Sequence, residues 1–168
     1  MIAAPIIVTA TPGDTDFGWL DAQRRTYFPP ERNQLPAHLT MFHHLPPSIE
    51  RELLAVLKEE VRTPAPAARL TGLINLGRGV AYRVESTGLA DIRERLADRF
   101  APLLTPQDAT PWRPHITVQN KVAPEQARVL LAELQAAFTP RPFAIAGLAA
   151  HWYRGGPWEL LASYRFRG

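Results

Sequence analysis

Arg113-Pro-His-Ile-Thr-Val-Gln-Asn-Lys121 is the stretch on which the reading of this chain turns, because Ala37-His-Leu-Thr-Met-Phe-His-His-Leu45 carries the same pattern earlier. Each reads as a short strand bearing His, one apolar residue and Thr. In an extended chain, side chains two apart share a face and stand about 6.5–7 Å apart. His115, Thr117, Gln119 and Lys121 are therefore expected on one face, with Ile116, Val118 and Val122 on the other. In the earlier copy His38 and Thr40 share a face, and Leu39 and Met41 point the opposite way.

The echo runs beyond the triplet. At an offset of 77 (115 − 38), Thr40 falls on Thr117, Leu45 on Val122, Pro47 on Pro124, Leu53 on Leu130, Leu57 on Leu134 and Val61 on Phe138, without a gap. A His-x-Thr strand, a Pro-marked loop and an amphipathic helix thus occur twice in register, the signature of a duplicated unit. Two copies imply a pseudo-two-fold arrangement, which would turn both His-Thr faces towards one shared cleft.

The other elements follow from local pattern. Pro5 to Ala10 is rich in β-branched residues and reads as a strand. Asp14 to Phe28 reads as a helix with Asp14 or Thr15 at its N-cap, ended by Pro29-Pro30. Glu31 to Pro36 is a polar loop delivering the first His-x-Thr strand. Ser48 is the expected N-cap of a helix reaching about Arg62, broken by Pro64-Ala-Pro66. Arg69 to Leu76 and Val80 to Glu85 form a hairpin around Gly77-Arg-Gly79. Ser86 or Thr87 caps a helix over about Leu89 to Phe100, and the irregular, polar segment Pro102 to Pro111 is the expected mobile lid. A helix over Pro124 to Phe138 and a hairpin of Phe143 to Tyr153 with Trp158 to Phe166, turning at Arg154-Gly-Gly-Pro157, complete the chain. Each half reads as strand, helix, strand, strand. The expected architecture is one α+β domain over residues 1–168, with two pseudo-symmetric lobes of antiparallel sheet, helices outside and a central cleft.

Bulk properties narrow the function classes. Apolar content of 46% and charged content of 21% are those of an ordinary globular protein. A formal charge of +3 suits an anionic ligand and falls far short of a nucleic-acid-binding arm. With no Cys there is no disulfide, thiolate nucleophile or Cys-ligated metal. No apolar run approaches a membrane span, and the first residues lack the charged and apolar regions of a signal peptide. Cytoplasm is the expected compartment.

Two His and two Thr suit the chemistry of a phosphodiester. One group must take the nucleophile's proton and another must protonate the leaving oxygen. Imidazole serves both needs near neutral pH. A hydroxyl beside each His supplies donors for charge on the non-bridging oxygens without adding charge. His43 and His44 suggest a metal site with His38. Adjacent strand residues point to opposite faces, however, so no metal is expected.

His38-Leu-Thr-Met41 and His115-Ile-Thr-Val118 resemble the paired H-x-T/S-x motifs of the 2H phosphoesterase superfamily, which includes the bacterial 2'-5' RNA ligases and cyclic phosphodiesterases. The repeat and the closing Gly-Gly-x-Trp hairpin extend the resemblance over essentially the whole chain. It implies hydrolysis of a 2',3'-cyclic or related cyclic phosphate without metal or other cofactor, with 2'-5' RNA ligation or cleavage in some members. It further implies His38 and His115 as the acid–base pair and Thr40 and Thr117 as the phosphate-binding hydroxyls. Which His is acid stays open, because the repeat makes the two alike. The continuations Phe-His-His-Leu and Gln-Asn-Lys differ from the Leu-Gly and Ala-Arg continuations of the better-known ligase members, which bears on the substrate.

Gln119, Lys121, Phe42 and Tyr153 are candidate substrate contacts. Trp112, Trp152, Tyr153 and Trp158 could stack a base, with lobe packing favoured for Trp158. Arg83, Arg113 and Arg154 are anion contacts or plain surface charges. The expected partner is a cyclic-phosphate nucleotide or RNA end, met by a monomer. The competing class is a non-catalytic RNA- or nucleotide-binding module that keeps the same cleft.

Overall fold

The computed structural model describes residues 4–168. In chain order the strands are β1 (Ile6–Pro12), β2 (Leu39–Leu45), β3 (Ala68–Asn75), β4 (Val80–Glu85), β5 (His115–Gln119), β6 (Arg141–Phe143), β7 (Ile145–Trp152) and β8 (Glu159–Arg165). The α-helices are α1 (Asp14–Tyr27), α2 (Glu50–Glu60), α3 (Thr87–Arg99), α4 (Pro106–Ala109) and α5 (Pro124–Ala137). The strands form two antiparallel four-stranded sheets, ordered β2-β1-β7-β8 and β5-β4-β3-β6. This is the expected α+β architecture, with one His-Thr strand at the edge of each sheet. Among the described residues no helix is long and apolar enough to cross a membrane.

The lobes are not the two halves of the sequence. The hairpin after the first motif, β3–β4, joins the sheet of β5, whereas β7–β8 returns to the sheet of β1 and β2. The second crossing splits the segment expected as one strand from Phe143. Short β6 pairs with β3, and β7 starts afresh beside β1. The helix after each motif stays with that motif's own sheet. α2 buries Leu53 and Leu57 and packs on β7 and β8, and α5 buries Ala127, Leu130 and Leu134 and packs on β3 and β4.

Helices α1 and α3 bridge the lobes. α1 packs on β5, where Arg24 Nη1 donates to the Thr117 carbonyl at 2.9 Å. α3 reaches β2, where Arg93 Nε donates to the Met41 carbonyl at 2.9 Å. Each guanidinium is buried and lies over an aromatic ring, Phe28 for Arg24 and Phe42 for Arg93. Burial pulls both guanidinium pKa values down, and Asp21 and Asp108 respectively oppose that pull. The duplication thus supplies a matched pair of clasps, each tying a helix of one lobe to the His-Thr strand of the other.

Two expected caps are different. Gly13, not Asp14 or Thr15, precedes α1, and its amide bonds to the Ala144 carbonyl at 2.9 Å. A Cβ there would approach Ala144 Cβ to 2.9 Å, so the close crossing of the two segments favours glycine. Ser48 lies inside a 3₁₀ turn, Pro47–Ile49, and gives α2 no side-chain cap. Ser86 behaves as expected, its Oγ accepting from Leu89 N at 3.1 Å.

Candidate functional site

β2 and β5 bring His38, Thr40, His115 and Thr117 to the wall of one cavity of about 330 Å³, which Trp112, Arg113 and Trp158 also line. The two imidazoles are held alike. His38 Nδ1 lies 2.9 Å from the Pro36 carbonyl, and His115 Nδ1 lies 2.7 Å from the Arg113 carbonyl. A carbonyl only accepts, so Nδ1 carries the proton in each ring and Nε2 is left for the cavity. Trp112 Nε1 donates to the Thr40 carbonyl at 3.0 Å, fastening the segment before His115 to β2.

Strict alternation fails on both strands at matching positions. Val8 pairs with Phe42 but Thr9 with Thr40, so a bulge sits at Met41. Val80 pairs with Gln119 but Ala81 with Thr117, which puts a bulge at Val118, again 77 residues on (118 − 41). A bulge inserts one residue and reverses the facing of the residues after it. Two candidate contacts are corrected by this. Phe42 is fully buried beneath Arg93, and Gln119 is buried in the second sheet with Oε1 unpartnered. Neither lines the cavities around the His pair. His43 and Asn120 take the cleft-facing places instead, and alternation alone could not have found them.

Lys121 and Tyr153 do line the adjoining cavity of about 400 Å³, which runs from His38 and Thr117 to Arg24 and Gly155. Lys121 sits at φ 64°, the left-handed turn that ends β5. The bulged strand also presses on Gly79, where a Cβ would fall 1.9 Å from the Gln119 carbonyl oxygen. Gly79→Ala is therefore expected to cost about 1–3 kcal/mol through backbone displacement, read as a lowered midpoint in urea unfolding. An unchanged midpoint would show that β5 tolerates the shift.

Trp158 is a cleft residue as well as a packing one. Its ring stands edge-on to His38 at 4.7 Å between centroids and 5.5 Å from His151. His151, which no sequence pattern singled out, lies outside the repeated segment and has Nε2 3.0 Å from Thr9 Oγ1. Burial behind these groups lowers the His38 pKa to about 4, and Coulombic interaction with Arg24, His151 and His115 adds to the effect, against the hydrogen bond to Pro36. His38 is therefore neutral at pH 7. Burial also lowers the His151 pKa.

The expected lid is pinned. Within it α4 carries Asp108, which is 1% exposed and accepts from His43 N at 2.8 Å and His44 N at 2.9 Å. The His43 ring lies 3.3 Å from the same carboxylate, and Arg93 Nη2 donates to the Asp108 carbonyl at 2.7 Å. Burial disfavours the carboxylate. Hydrogen bonds from the His43 ring and from the His43 and His44 amides outweigh that and hold its pKa below the usual range. Among the described residues, no group of three or more His, Asp or Glu is placed to hold a metal ion.

A family profile described as the 2'-5' RNA ligase superfamily matches residues 12–157. The chain belongs to that superfamily, the 2H phosphoesterases. No curated protein sequence matches it. Solved structures with the same fold include Escherichia coli LigT complexed with 3'-AMP, at 18% identity and TM-score 0.65 over 99% of this chain and 100% of that one. A Thermus thermophilus protein aligns at 21% identity and TM-score 0.62, covering 98% of each chain. A structure described as a phosphoesterase aligns at 20% identity and TM-score 0.63, over 99% of this chain and 100% of that one. At these identities the structural likeness establishes the fold, and the superfamily match places the chain in the phosphoesterase or ligase class.

Proposed function

We propose that this 2H phosphoesterase hydrolyses a 2',3'-cyclic phosphate through His38 and His115, without a metal. The observation that carries the proposal is the matched pair of imidazoles on one cavity, each fixed through Nδ1 with Nε2 free. Water attacks phosphorus as its proton passes to Nε2 of the base. A new P–O bond forms, the P–O3' bond breaks, and Nε2–H of the acid protonates O3', leaving a 2'-phosphate. Thr40 and Thr117 donate to the non-bridging oxygens as charge builds on them. His38, neutral at pH 7, is suited to be the base, which assigns the acid role to His115. Joining a 2'-5' RNA linkage would use the same groups with a 5'-hydroxyl in place of water, and cleaving one would run that step in reverse. The test is turnover of a panel of 2',3'-cyclic nucleotides in chelator, with the product position read by phosphorus NMR. Chelator-resistant formation of 2'-phosphate is expected. Nucleotide binding with no turnover of any member would instead support a binding module.

A further inference from the structure

A groove of about 750 Å³ adjoins the His cavity, within the ~300–1,000 Å³ range of ligand clefts. The two share Thr110, Pro111, Trp112 and Arg113 as a common wall. Arg83 of β4, which lines the groove, stands opposite His115 of β5 on one side and Gly72 of β3 on the other. Residues opposed in an antiparallel ladder share a face. His115, Arg83 and Gly72 therefore form one row across the sheet. The guanidinium reaches over β3, since a Cβ on Gly72 would lie 3.6 Å from Arg83 Nη1. Two interstrand steps place β3 about 10 Å from β5.

Arg83 and Arg113 are exposed, and among the described residues neither guanidinium has a hydrogen-bond or ion-pair partner. Some other surface arginines are paired, as Arg95 with Glu60, Arg99 with Glu52 and Arg25 with Asp21. Glu85 and Glu94 also line the groove, and Glu85 has Arg69 opposite it in the ladder. The two lobes differ here. In the first sheet Thr11 stands opposite Gly147, in the place that Arg83 holds opposite Gly72. The cavity on that side, about 370 Å³ with Phe17, Trp158 and Leu160, has no Lys or Arg in its lining. At the matched position the second sheet thus carries a guanidinium where the first carries a hydroxyl.

We infer that Arg83 and Arg113 hold a second phosphate, so that the substrate is a cyclic phosphate bearing a further phosphate and not a lone nucleoside cyclic monophosphate. This rests on the reading given under Proposed function. Guanidinium groups bind phosphate through paired, charge-assisted hydrogen bonds, which suits two cations that spend no such bonds within the protein.

The test compares kcat/KM for a nucleoside 2',3'-cyclic phosphate, the same compound bearing a 5'-phosphate, and a short RNA ending in the cyclic phosphate. The wild type is expected to favour one or both doubly phosphorylated substrates by about tenfold or more, less so as salt rises. In Arg83→Gln/Arg113→Gln that ratio should fall towards one. Preference for both substrates points to a phosphate recognised wherever it comes from, and preference for the RNA alone to an internucleotide phosphate. Equal use of all three by the wild type, or a ratio the double variant keeps, overturns the inference and leaves the phosphoesterase reading standing. Affinity for nucleoside 2'-phosphates with and without a 5'-phosphate, measured by calorimetry, decides the inference even where no cyclic phosphate is turned over.

Discussion

His38→Ala and His115→Ala are each expected to lower kcat on a 2',3'-cyclic nucleotide by about 10²–10⁴-fold, the usual worth of a positioned general acid or base. Combining them should cost far less than the product of the two, because the two proton transfers belong to one displacement step and the groups act as a unit. The pH dependence separates the roles. A base works in its neutral form, so its pKa sets the acid limb of the kcat/KM profile. An unperturbed His would lose rate below about pH 6.5. Burial against Trp158, with Arg24, His151 and His115 nearby, lowers the His38 pKa to about 4. The acid limb should accordingly lie well below about 6.5 if His38 is the base. An acid limb at about pH 6–7, the ordinary imidazole range, would sink that assignment and exchange the roles. Retention of full activity in either alanine variant would sink the mechanism itself.

Asp108→Ala carries the largest expected loss of stability. The carboxylate is 1% exposed and accepts from the amides of both His43 and His44. Removing it strands those donors and takes the nearest carboxylate from buried Arg93. A cost of about 2–5 kcal/mol is expected from an unpaired buried charge and unsatisfied amides. Asp108→Asn keeps one acceptor oxygen and should fall between wild type and alanine. Urea unfolding at neutral pH checks both. An alanine variant within about 0.5 kcal/mol of wild type, a negligible change on the ordinary scale of substitutions, would show the α4 tether to be dispensable. Because α4 supports the strand that carries His38, Thr40 and His43, the alanine variant should also lose activity at temperatures where it remains folded.

The repeat makes much of this protein legible in its sequence. The spacing of His38, Thr40, His115 and Thr117, with matching helices behind them, implied two related lobes and a shared cleft. Those residues do meet on one cavity. Strand and helix periodicities are local properties, and a gapless offset of 77 carries them from one copy to the other. The same local logic misplaced Phe42 and Gln119. A bulge depends on how a partner strand pairs, as Val8 and Thr9 do with β2, and no pattern within β2 records it.

The pair of His-Thr strands, their helices and the class of fold could all be read from the order of residues, because each rests on side chains a few positions apart. The exchange of β3–β4 and β7–β8 between lobes could not, nor could the clasping of opposite strands by Arg24 and Arg93 or the pinning of the expected lid by Asp108. Folding also brought His151 and Trp158 against His38, and so set apart two histidines that the repeat presents as equals. All of these are contacts between segments distant in the chain. Their energies come from burial and pairing that exist only once both sheets have closed on the cleft.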